Sequence, residues 1–387
     1  MKKVLALLLA GLLLVSFAAC GDKAEDDEKG NDAVELDKNY VEEESNKGRF
    51  EYVVNESGEY EIVKYEPYSV DITSITLPAA INDRDIVGIA DNAFKAENSI
   101  KSVTIPATYK YVGEYAFYDC DSLTSINILL NSEGKSEIES IGKGAFESCE
   151  LLTGFKMPSE VKVISEYAFK DCKSVTELDL SNVQQILKGA FYGCSTLSKV
   201  TLSDKIEYVT KEAFYGCDAL VYNEEGSLCY LGNDANKNIV LVKSADPNIE
   251  TCAVSKTAKI VADYAFNNCE LLSKVTLSDS VKVINGTAFE DCKELKYNEN
   301  ENGLYLGTEE NPYMVLISLK LKSVEDFKIN KAVKIIADTA FEGCVILEDI
   351  SFEGTSSEWD AIIKSAEWNG ELAVNVKCSD KTIELLG

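Results

Sequence analysis

The sequence predicts a repeat solenoid of the α/β class, rich in short strands, with one helical turn per repeat and a cap at each end. Two observations predict it. Nine Ala-Phe pairs recur along the chain, and eight of them are followed by a cysteine three residues after the phenylalanine. Most successive phenylalanines are about 23 residues apart, and a fixed period of that size marks a stack of similar coils.

Each repeat reads Cys-x-x-Leu-x-x-Val-x-Leu, a linker, a Val-x-x-Ile variant and then Ala-Phe-x-x-Cys, as in residues 194–217. The Leu-x-x-Val-x-Leu stretch ends in period-two alternation, which predicts a short strand with one buried face. The Ala-Phe-x-x-Cys stretch lacks this alternation and is interpreted as a helical turn that closes the coil. One repeat has too few apolar groups to fold alone, so stacked repeats must share a core.

This pattern resembles the BspA-type leucine-rich repeats of bacteria, over about residues 50–387. The resemblance implies a leucine-rich-repeat solenoid on a bacterial surface, used for adhesion or for binding proteins.

The amino terminus is interpreted as a lipoprotein signal peptide, residues 1–19. Two lysines precede an apolar stretch that is too short to span a membrane comfortably and that ends in small residues. Residues 18–21, Ala-Ala-Cys-Gly, resemble a bacterial lipobox, although Phe17 stands where leucine is usual. The resemblance implies that the sulfur of Cys20 carries a diacylglycerol. An ordinary signal peptide cut nearby, with Cys20 unmodified, is the alternative.

The signal peptide predicts a secreted protein. Lipidation of Cys20 would anchor it to the outer face of the bacterial cytoplasmic membrane. Residues 21–48 are strongly acidic and poor in apolar side chains, which is typical of a disordered tether. The predicted parts of the chain are the signal peptide 1–19, the lipidated cysteine and tether 20–48, an N-terminal capping hairpin 49–72, the solenoid 73–350 and a C-terminal cap 351–387.

Two gaps between successive phenylalanines are 52 residues long. The insertions responsible lie near 222–250 and 297–325, and each contains a polar turn followed by an apolar run. This pattern predicts a β-hairpin whose tip is the polar turn and whose edge projects from the sheet. The hairpins are interpreted either as recognition elements or as structural variants of the coil.

The chain has twelve cysteines, and eight of them share one position of the repeat. Stacking should align these eight in a column with nearly parallel Cβ vectors, which favours buried free thiols over disulfides. Cys229 and Cys252 lie in one insertion and could pair. No Cys-x-x-Cys pair or Cys/His cluster indicates a zinc site.

The charge balance excludes whole classes of function. The chain has 66 acidic and 38 basic residues, a net charge of −28, whereas nucleic-acid binding needs a basic footprint. Contact with the membrane is expected through the lipid anchor only.

The chain has no histidine, which removes Ser-His-Asp and Cys-His catalysis. No P-loop, dinucleotide-binding or EF-hand motif is present, so the sequence indicates no enzyme and no cofactor.

The predicted function is that of a non-catalytic cell-surface lipoprotein that presents its repeats for protein binding or adhesion. The alternatives are a protein that binds glycans or cell-wall polymers and a structural or assembly protein without a diffusible ligand. The sequence leaves the oligomeric state open. The candidate binding surface combines outward strand residues with hairpin tips: Lys156, Glu177, Asp179, Lys199, Thr201, Lys274, Thr276, Asp234, Asn236, Glu309 and Glu310.

Overall fold

The structure, a computed structural model, describes residues 39–43, 48–69, 71–209, 212–364, 368–369 and 372–385. Residues 38–387 form one compact unit. Its chain winds into a β-solenoid of about 13 coils with very little helix. The predicted signal peptide, Cys20 and most of the predicted tether lie outside the described residues.

We divide the solenoid into three segments, because its sheets and its apolar cores divide there. Segment 1, residues 39–221, contains β1 (Asn39–Glu43), β2 (Gly48–Val54), β3 (Tyr60–Pro67), β4 (Ser74–Thr76), β5 (Ala80–Ile81), β6 (Arg84–Ile89), β7 (Ser102–Ile105), β8 (Tyr111–Val112), β9 (Ser125–Ile128), β10 (Ser140–Ile141), β11 (Val163–Ile164), β12 (Glu177–Leu180), β13 (Gln185–Ile186), β14 (Lys199–Leu202) and β15 (Tyr208–Val209). Segment 2, residues 222–296, contains β16 (Asn223–Glu225), β17 (Leu228–Leu231), β18 (Val240–Ser244), β19 (Thr251–Ala253), β20 (Ile260–Val261), β21 (Lys274–Thr276) and β22 (Val283–Ile284). Segment 3, residues 297–385, contains β23 (Asn298–Asn300), β24 (Gly303–Leu306), β25 (Val315–Leu319), β26 (Asp326–Ile329), β27 (Ile335–Ile336), β28 (Asp349–Phe352), α1 (Ser356–Ala361), β29 (Ile363–Lys364), β30 (Val374–Lys377) and β31 (Thr382–Leu385).

An ordinary coil contributes two strands. The Leu-x-x-Val-x-Leu stretch forms the first, here called the L strand. In β12, Leu178 and Leu180 are buried while Glu177 and Asp179 are exposed. The Val-x-x-Ile stretch forms the second, here called the V strand, in which Ile164 of β11 points into the core and Val163 points outward. V strands pair in parallel from β6 through β8, β10, β11 and β13 to β15. The period-two prediction for the L strands is therefore confirmed.

Except at Ala288-Phe289, which lie in a 3₁₀ turn, the Ala-Phe-x-x-Cys stretch does not form the helical turn expected from the sequence. It forms consecutive turns in which the residue before Ala and the residue before Cys have positive φ, such as Tyr167 at 56° and Asp171 at 57°. A type II turn requires this conformation, whereas a helix excludes it. The turns leave the backbone N–H of Phe169 free to donate to the Ala190 carbonyl of the next coil, at 2.9 Å. Among the described residues, helix is limited to a 3₁₀ turn at Gly286–Phe289 and to α1.

Two side-chain columns run through these turns. The phenylalanine rings of segment 1 stack from Phe94 to Phe214 with centroids 5.0 to 5.6 Å apart. Beside them runs the cysteine column, in which the Cys172 thiol donates to the Phe146 carbonyl of the preceding coil at 3.1 Å. The same bond recurs at Cys120, Cys149, Cys194, Cys217 and Cys292. Cysteine is thus small enough for the core and still supplies a donor there.

The thiols agree with the interpretation as core residues. The eleven described cysteines are free, and eight of them are buried. Cys229 and Cys252 do not form the disulfide that the sequence left open.

The two insertions form sheets at the boundaries between segments; they are not loops attached to the outside of the solenoid. In segment 2, β16, β17 and β18 form an antiparallel sheet, and β18 then pairs in parallel with β20. β23, β24 and β25 repeat this arrangement in segment 3. The predicted hairpins are therefore present, but the expectation that they project is wrong. Every residue of β17 is buried, because each face of this sheet packs against a different core.

The sheet of segment 2 closes the end of segment 1. Val240 and Ile260, which face outward from segment 2, belong to the core of segment 1, whereas Leu241 and Val261 belong to the core of segment 2. The Asn285 side chain adds a hydrogen bond of 2.7 Å to the Val209 carbonyl at the end of β15.

Segment 3 closes segment 2 in the same way. Val315 and Ile335 belong to the core of segment 2, whereas Leu316 and Ile336 belong to the core of segment 3. The Asp338 carboxylate accepts the Gly286 N–H across this junction. The chain therefore forms three stacked segments within the region predicted to be a solenoid with two hairpin insertions.

The two ends of the stack differ from ordinary coils. Antiparallel β2 and β3 precede the first V strand, and β3 pairs with β6. At the other end, Trp359 and Trp368 pack edge to face with centroids 5.6 Å apart, and each also contacts a phenylalanine of the last core. A capping box formed by Thr355 and Glu358 fixes the start of α1.

Candidate binding surfaces

The structure places the sheet residues singled out from the sequence on two separate sheets. On β12 and β14, Glu177 lies opposite Lys199 and Asp179 lies opposite Thr201. Lys274 and Thr276 lie on β21 of segment 2, beside β19. Lys156 is exposed and follows an isolated bridge between Ser125 and Gly154. This face is polar and of mixed charge, and the junction divides it.

One of the polar residues predicted at the hairpin tips is engaged in hydrogen bonds within the protein. Asp234, Glu309 and Glu310 are exposed. Asn236, in contrast, is half-buried, and its side chain donates to the Thr257 carbonyl at 3.0 Å while accepting the Asn238 N–H at 3.1 Å. Asn236 therefore has a structural role in the loop, and it is a poor candidate for ligand contact.

An aromatic ridge runs along the turns of segment 1. We call it the tyrosine edge and define it as the five tyrosines that flank Ala-Phe pairs of segment 1: Tyr115, Tyr118, Tyr167, Tyr192 and Tyr215. The rings of Tyr192 and Tyr215 stack at 5.3 Å, and Tyr215 is 63% exposed. Tyr115 and Tyr118 meet edge to face at 5.8 Å. The sheet face has no comparable aromatic surface.

The backbone explains why the tyrosines alternate with glycines. Tyr115 and Tyr167 hold positive φ values of 54° and 56°, which favour glycine over a bulky side chain. Each ring covers a glycine of the next coil, since a Cβ at Gly144 or Gly189 would collide with the Tyr115 or Tyr167 ring. In these two pairs of coils, a tyrosine in one coil is therefore matched by a glycine in the next.

Lysines surround the rings. Lys170 and Lys188 lie 5.5 and 5.9 Å from the Tyr167 centroid, within range of a cation–π interaction. Lys170 also forms an ion pair of 2.9 Å with Glu147, and the hydrogen bond to this carboxylate raises the pKa of Lys170. The tyrosine edge therefore combines aromatic surface with fixed charges of both signs.

A groove opens where the three segments meet. It has a volume of about 1180 Å³ and is lined by residues of all three segments. We call it the junction groove and define it by its half-buried or exposed apolar residues: Leu187, Tyr208, Val283, Val345, Ile363 and Leu372. Lys188 contributes both to this groove and to the surroundings of Tyr167, so the groove adjoins the tyrosine edge.

Sequence reasoning missed both the tyrosine edge and the junction groove. The tyrosines flank Ala-Phe pairs, as in Tyr115-Ala116-Phe117-Tyr118. Outward-facing residues were predicted only for the strands, however, and these tyrosines lie in turns. The groove depends on contacts between segments, which no local pattern encodes.

Family comparison agrees with this architecture. The model of the BspA type leucine rich repeat region matches the chain in six copies, over residues 61–135, 87–221, 244–308 and 318–362. The chain belongs to the BspA-type leucine-rich-repeat family. No curated protein matches it significantly.

Solved structures of other leucine-rich-repeat proteins are similar to this BspA-type chain. A leucine rich cell surface protein from Faecalibacterium prausnitzii is 22% identical, with 84% of this chain and 97% of that chain covered and a TM-score of 0.41. A leucine-rich repeat protein from Bacteroides ovatus is 20% identical, with 85% and 98% covered and a TM-score of 0.38. The leucine rich repeat protein of T. pallidum is 20% identical, with 64% and 88% covered and a TM-score of 0.34.

Over the part of this BspA-type chain that the structure describes, no helix is long and apolar enough to cross a membrane. Nor do the described residues bring together three or more Cys, Asp or Glu side chains in a way that could hold a metal ion.

Proposed function

We propose that this BspA-type protein is an exported bacterial surface lipoprotein whose solenoid binds another protein without catalysing a reaction. The observation that carries the proposal is the tyrosine edge. Residues that dominate the energetics of protein interfaces are enriched in tyrosine, tryptophan and arginine. Tyr192 and Tyr215 present such a surface, with rings ordered by stacking before any partner arrives.

Backbone strain supports the same surface. Holding Tyr115 and Tyr167 in the left-handed region costs about 1–2 kcal/mol each, and glycine occupies the equivalent position in the intervening coil without that cost. Contact with the neighbouring glycine offsets part of this cost. A binding role accounts for retaining a large aromatic group at a position where glycine would avoid this cost.

The binding site is tested by comparing two sets of substitutions in residues 38–387. Immobilised protein should capture a saturable partner from a bacterial or host surface extract. The double substitution Tyr192→Ser with Tyr215→Ser should lower the affinity for that partner by about 30-fold or more. This change corresponds to the loss of at least one dominant contact of about 2 kcal/mol. The comparison set is Lys156→Glu with Lys199→Glu and Lys274→Glu on the sheet face, the second proposed contact surface. A partner sensitive only to the lysine reversals would move the site to the sheet, and absence of any saturable partner would contradict protein binding.

Anchoring through Cys20 is tested separately. Cells that express the chain with its own amino terminus should incorporate a palmitate label into it, because the lipobox-like residues 18–21 direct acylation of the Cys20 sulfur. Cys20→Ser should abolish the label and release the protein from the membrane fraction, since an acyl anchor of two or more chains accounts for stable attachment. Equal labelling of both proteins would show that Cys20 is not the anchor.

A further inference from the structure

We infer that the junction groove receives an extended segment of the bound protein, one that carries bulky apolar side chains beside a basic residue. This inference rests on the proposed function, because it concerns the same partner, and it adds the chemistry that the partner must offer. The groove exists because each segment turns its sheet across the end of the preceding one. The ordinary stacking of one turn upon the next is therefore interrupted here.

The lining shows why an apolar occupant fits. Phe341 has edge contacts with Phe327 and Trp368 but no stacked phenylalanine, unlike the rings of segment 1. Around it, the apolar residues of the junction groove remain half-buried or exposed, with Val345 82% exposed. The volume of about 1180 Å³ exceeds the usual range of about 300–1,000 Å³ for small-molecule sites. A chain segment with two or three large side chains is of the right size.

The charges at the rim favour a basic occupant. Five carboxylates and three ammonium groups line the groove: Glu166, Glu207, Asp263, Asp338 and Glu342 against Lys188, Lys282 and Lys364.

Two of the ammonium groups are already engaged. Lys364 donates to the Trp359 and Ile362 carbonyls at 2.6 and 2.7 Å, and Lys188 lies against the Tyr167 ring. Glu207 and Glu342 form no ion pair with any described residue and remain able to accept a cation. Lys282, the third ammonium group, is exposed, and Glu166 forms an ion pair of 2.8 Å with Lys143. The lining still has five carboxylates against three ammonium groups, so the groove is apolar inside and acidic at its rim.

Continuity with the tyrosine edge identifies the occupant as part of a protein. Lys188 belongs to both surfaces, and Leu187 beside it lines the groove. A partner lying along Tyr192 and Tyr215 can thus continue into the groove without crossing an unrelated surface. An isolated small apolar ligand would use the groove but would leave the tyrosine edge unexplained.

Tryptophan fluorescence of residues 38–387 can test the inference, since this compact unit contains all three cores. The chain has two tryptophans, Trp359 and Trp368, and Trp368 lines the groove. The probes are three blocked pentapeptides: Lys-Leu-Phe-Leu-Lys, Glu-Leu-Phe-Leu-Glu and Lys-Ser-Ser-Ser-Lys. The first should change the emission saturably, and the other two should bind at least about 10-fold more weakly.

Substitutions then locate the effect. The double substitution Leu187→Ser with Val345→Ser should lower the affinity for the basic apolar peptide at least about 10-fold. Leu271 is an exposed leucine outside the groove, so Leu271→Ser should leave this affinity unchanged. Glu207→Gln with Glu342→Gln should remove the preference over the acidic peptide. No saturable change, equal binding of the acidic peptide, or equal binding of the serine peptide would overturn the inference.

The peptide result and the capture result are independent of each other. Peptide binding in the groove, without capture of any partner, would support the groove and contradict the proposed function. Capture that depends on Tyr192 and Tyr215 but is unaffected by Leu187→Ser with Val345→Ser would keep the proposed function and overturn the groove as the partner's site.

Discussion

Replacing Ile260 with aspartate is expected to destroy the junction between segments 1 and 2. Ile260 holds the outward position of a V strand, yet it is 1% exposed and belongs to the core of segment 1. A carboxylate at this position would be buried among apolar side chains, and such burial costs several kcal/mol even when the group takes up a proton. We expect a loss of at least about 4 kcal/mol in the free energy of unfolding, among the largest effects of a single substitution. Urea denaturation followed by circular dichroism measures it.

Val163→Asp is the matched control. Val163 holds the same outward position in β11, but it is 36% exposed because an ordinary coil has nothing packed outside its V strands. Its substitution should change the free energy of unfolding by less than about 1 kcal/mol. Ile335→Asp at the second junction should behave like Ile260→Asp, since Ile335 belongs to the core of segment 2. If Ile260→Asp were as mild as Val163→Asp, segment 2 would not close segment 1.

Comparing Val163 with Ile260 shows which features of the fold can be predicted from the sequence. Val163-Ile164 and Ile260-Val261 are alike as short apolar pairs, and nothing in the pairs themselves distinguishes an ordinary coil from a junction. Which member of the pair is buried on both sides depends on a segment end contributed by residues far away in the chain. Local periodicity cannot encode that contact. The coil itself was predictable, because Leu178, Leu180 and the phenylalanine column repeat within about 23 residues.

A longer repeat carried the missing information. Residues 197–204 and 272–279 have the same sequence, Leu-Ser-Lys-Val-Thr-Leu-Ser-Asp, and each copy contains or adjoins the last L strand of its segment. The hairpins that follow are also alike, and β17 is apolar without alternation, which is typical of a strand buried on both faces. Comparing the two insertions with each other, instead of with ordinary coils, would have indicated a duplicated module.

The turn geometry and the tyrosine edge escaped prediction for a related reason. Type II turns are usually recognised in a sequence by glycine or asparagine at the residue with positive φ. In this chain, Tyr167 and Glu212 hold that position in two of the coils. Without glycine at these positions, the stretch looked like a helical turn, and its tyrosines were not assigned to a surface. The strand residues were assigned correctly because alternation is a strong local signal, and the candidate site was consequently sought on the sheet.

Raising the pH above about 9 is expected to remove much of the stability of segment 1. Cys149, Cys172 and Cys194 are fully buried. Hydrogen bonding to Cys120 or Cys217, together with burial, raises the pKa of the Cys149 and Cys194 thiols, and burial raises the pKa of Cys172. An unfolded chain releases these protons near pH 8.5–9, while the folded chain retains them. The stabilisation is therefore complete below about pH 8.5 and is lost progressively as the pH rises.

The expected loss is large because several thiols titrate together. Each raised group contributes about 1.4 kcal/mol per pH unit above its unfolded pKa, so three contribute about 4 kcal/mol per unit. A typical domain is stable by about 5–15 kcal/mol, so one or two pH units should suffice to unfold the segment. Lys364 acts in the opposite direction, because burial lowers its pKa to about 8, but it is a single group and partly exposed.

Urea denaturation at pH 7, 8, 9 and 10, under reducing conditions, measures the slope. Cys172→Ser with Cys194→Ser is the informative variant, because serine can still donate to the Phe146 and Phe169 carbonyls but does not titrate in this range. It should be less stable than the parent at pH 7, since serine packs less well in an apolar column, yet its slope above pH 9 should be shallower by about 2.7 kcal/mol per unit. Parallel slopes for the two proteins would mean that the thiols ionise while folded. The cysteine column would then be accessible to hydroxide, and its role as a sealed core would be wrong.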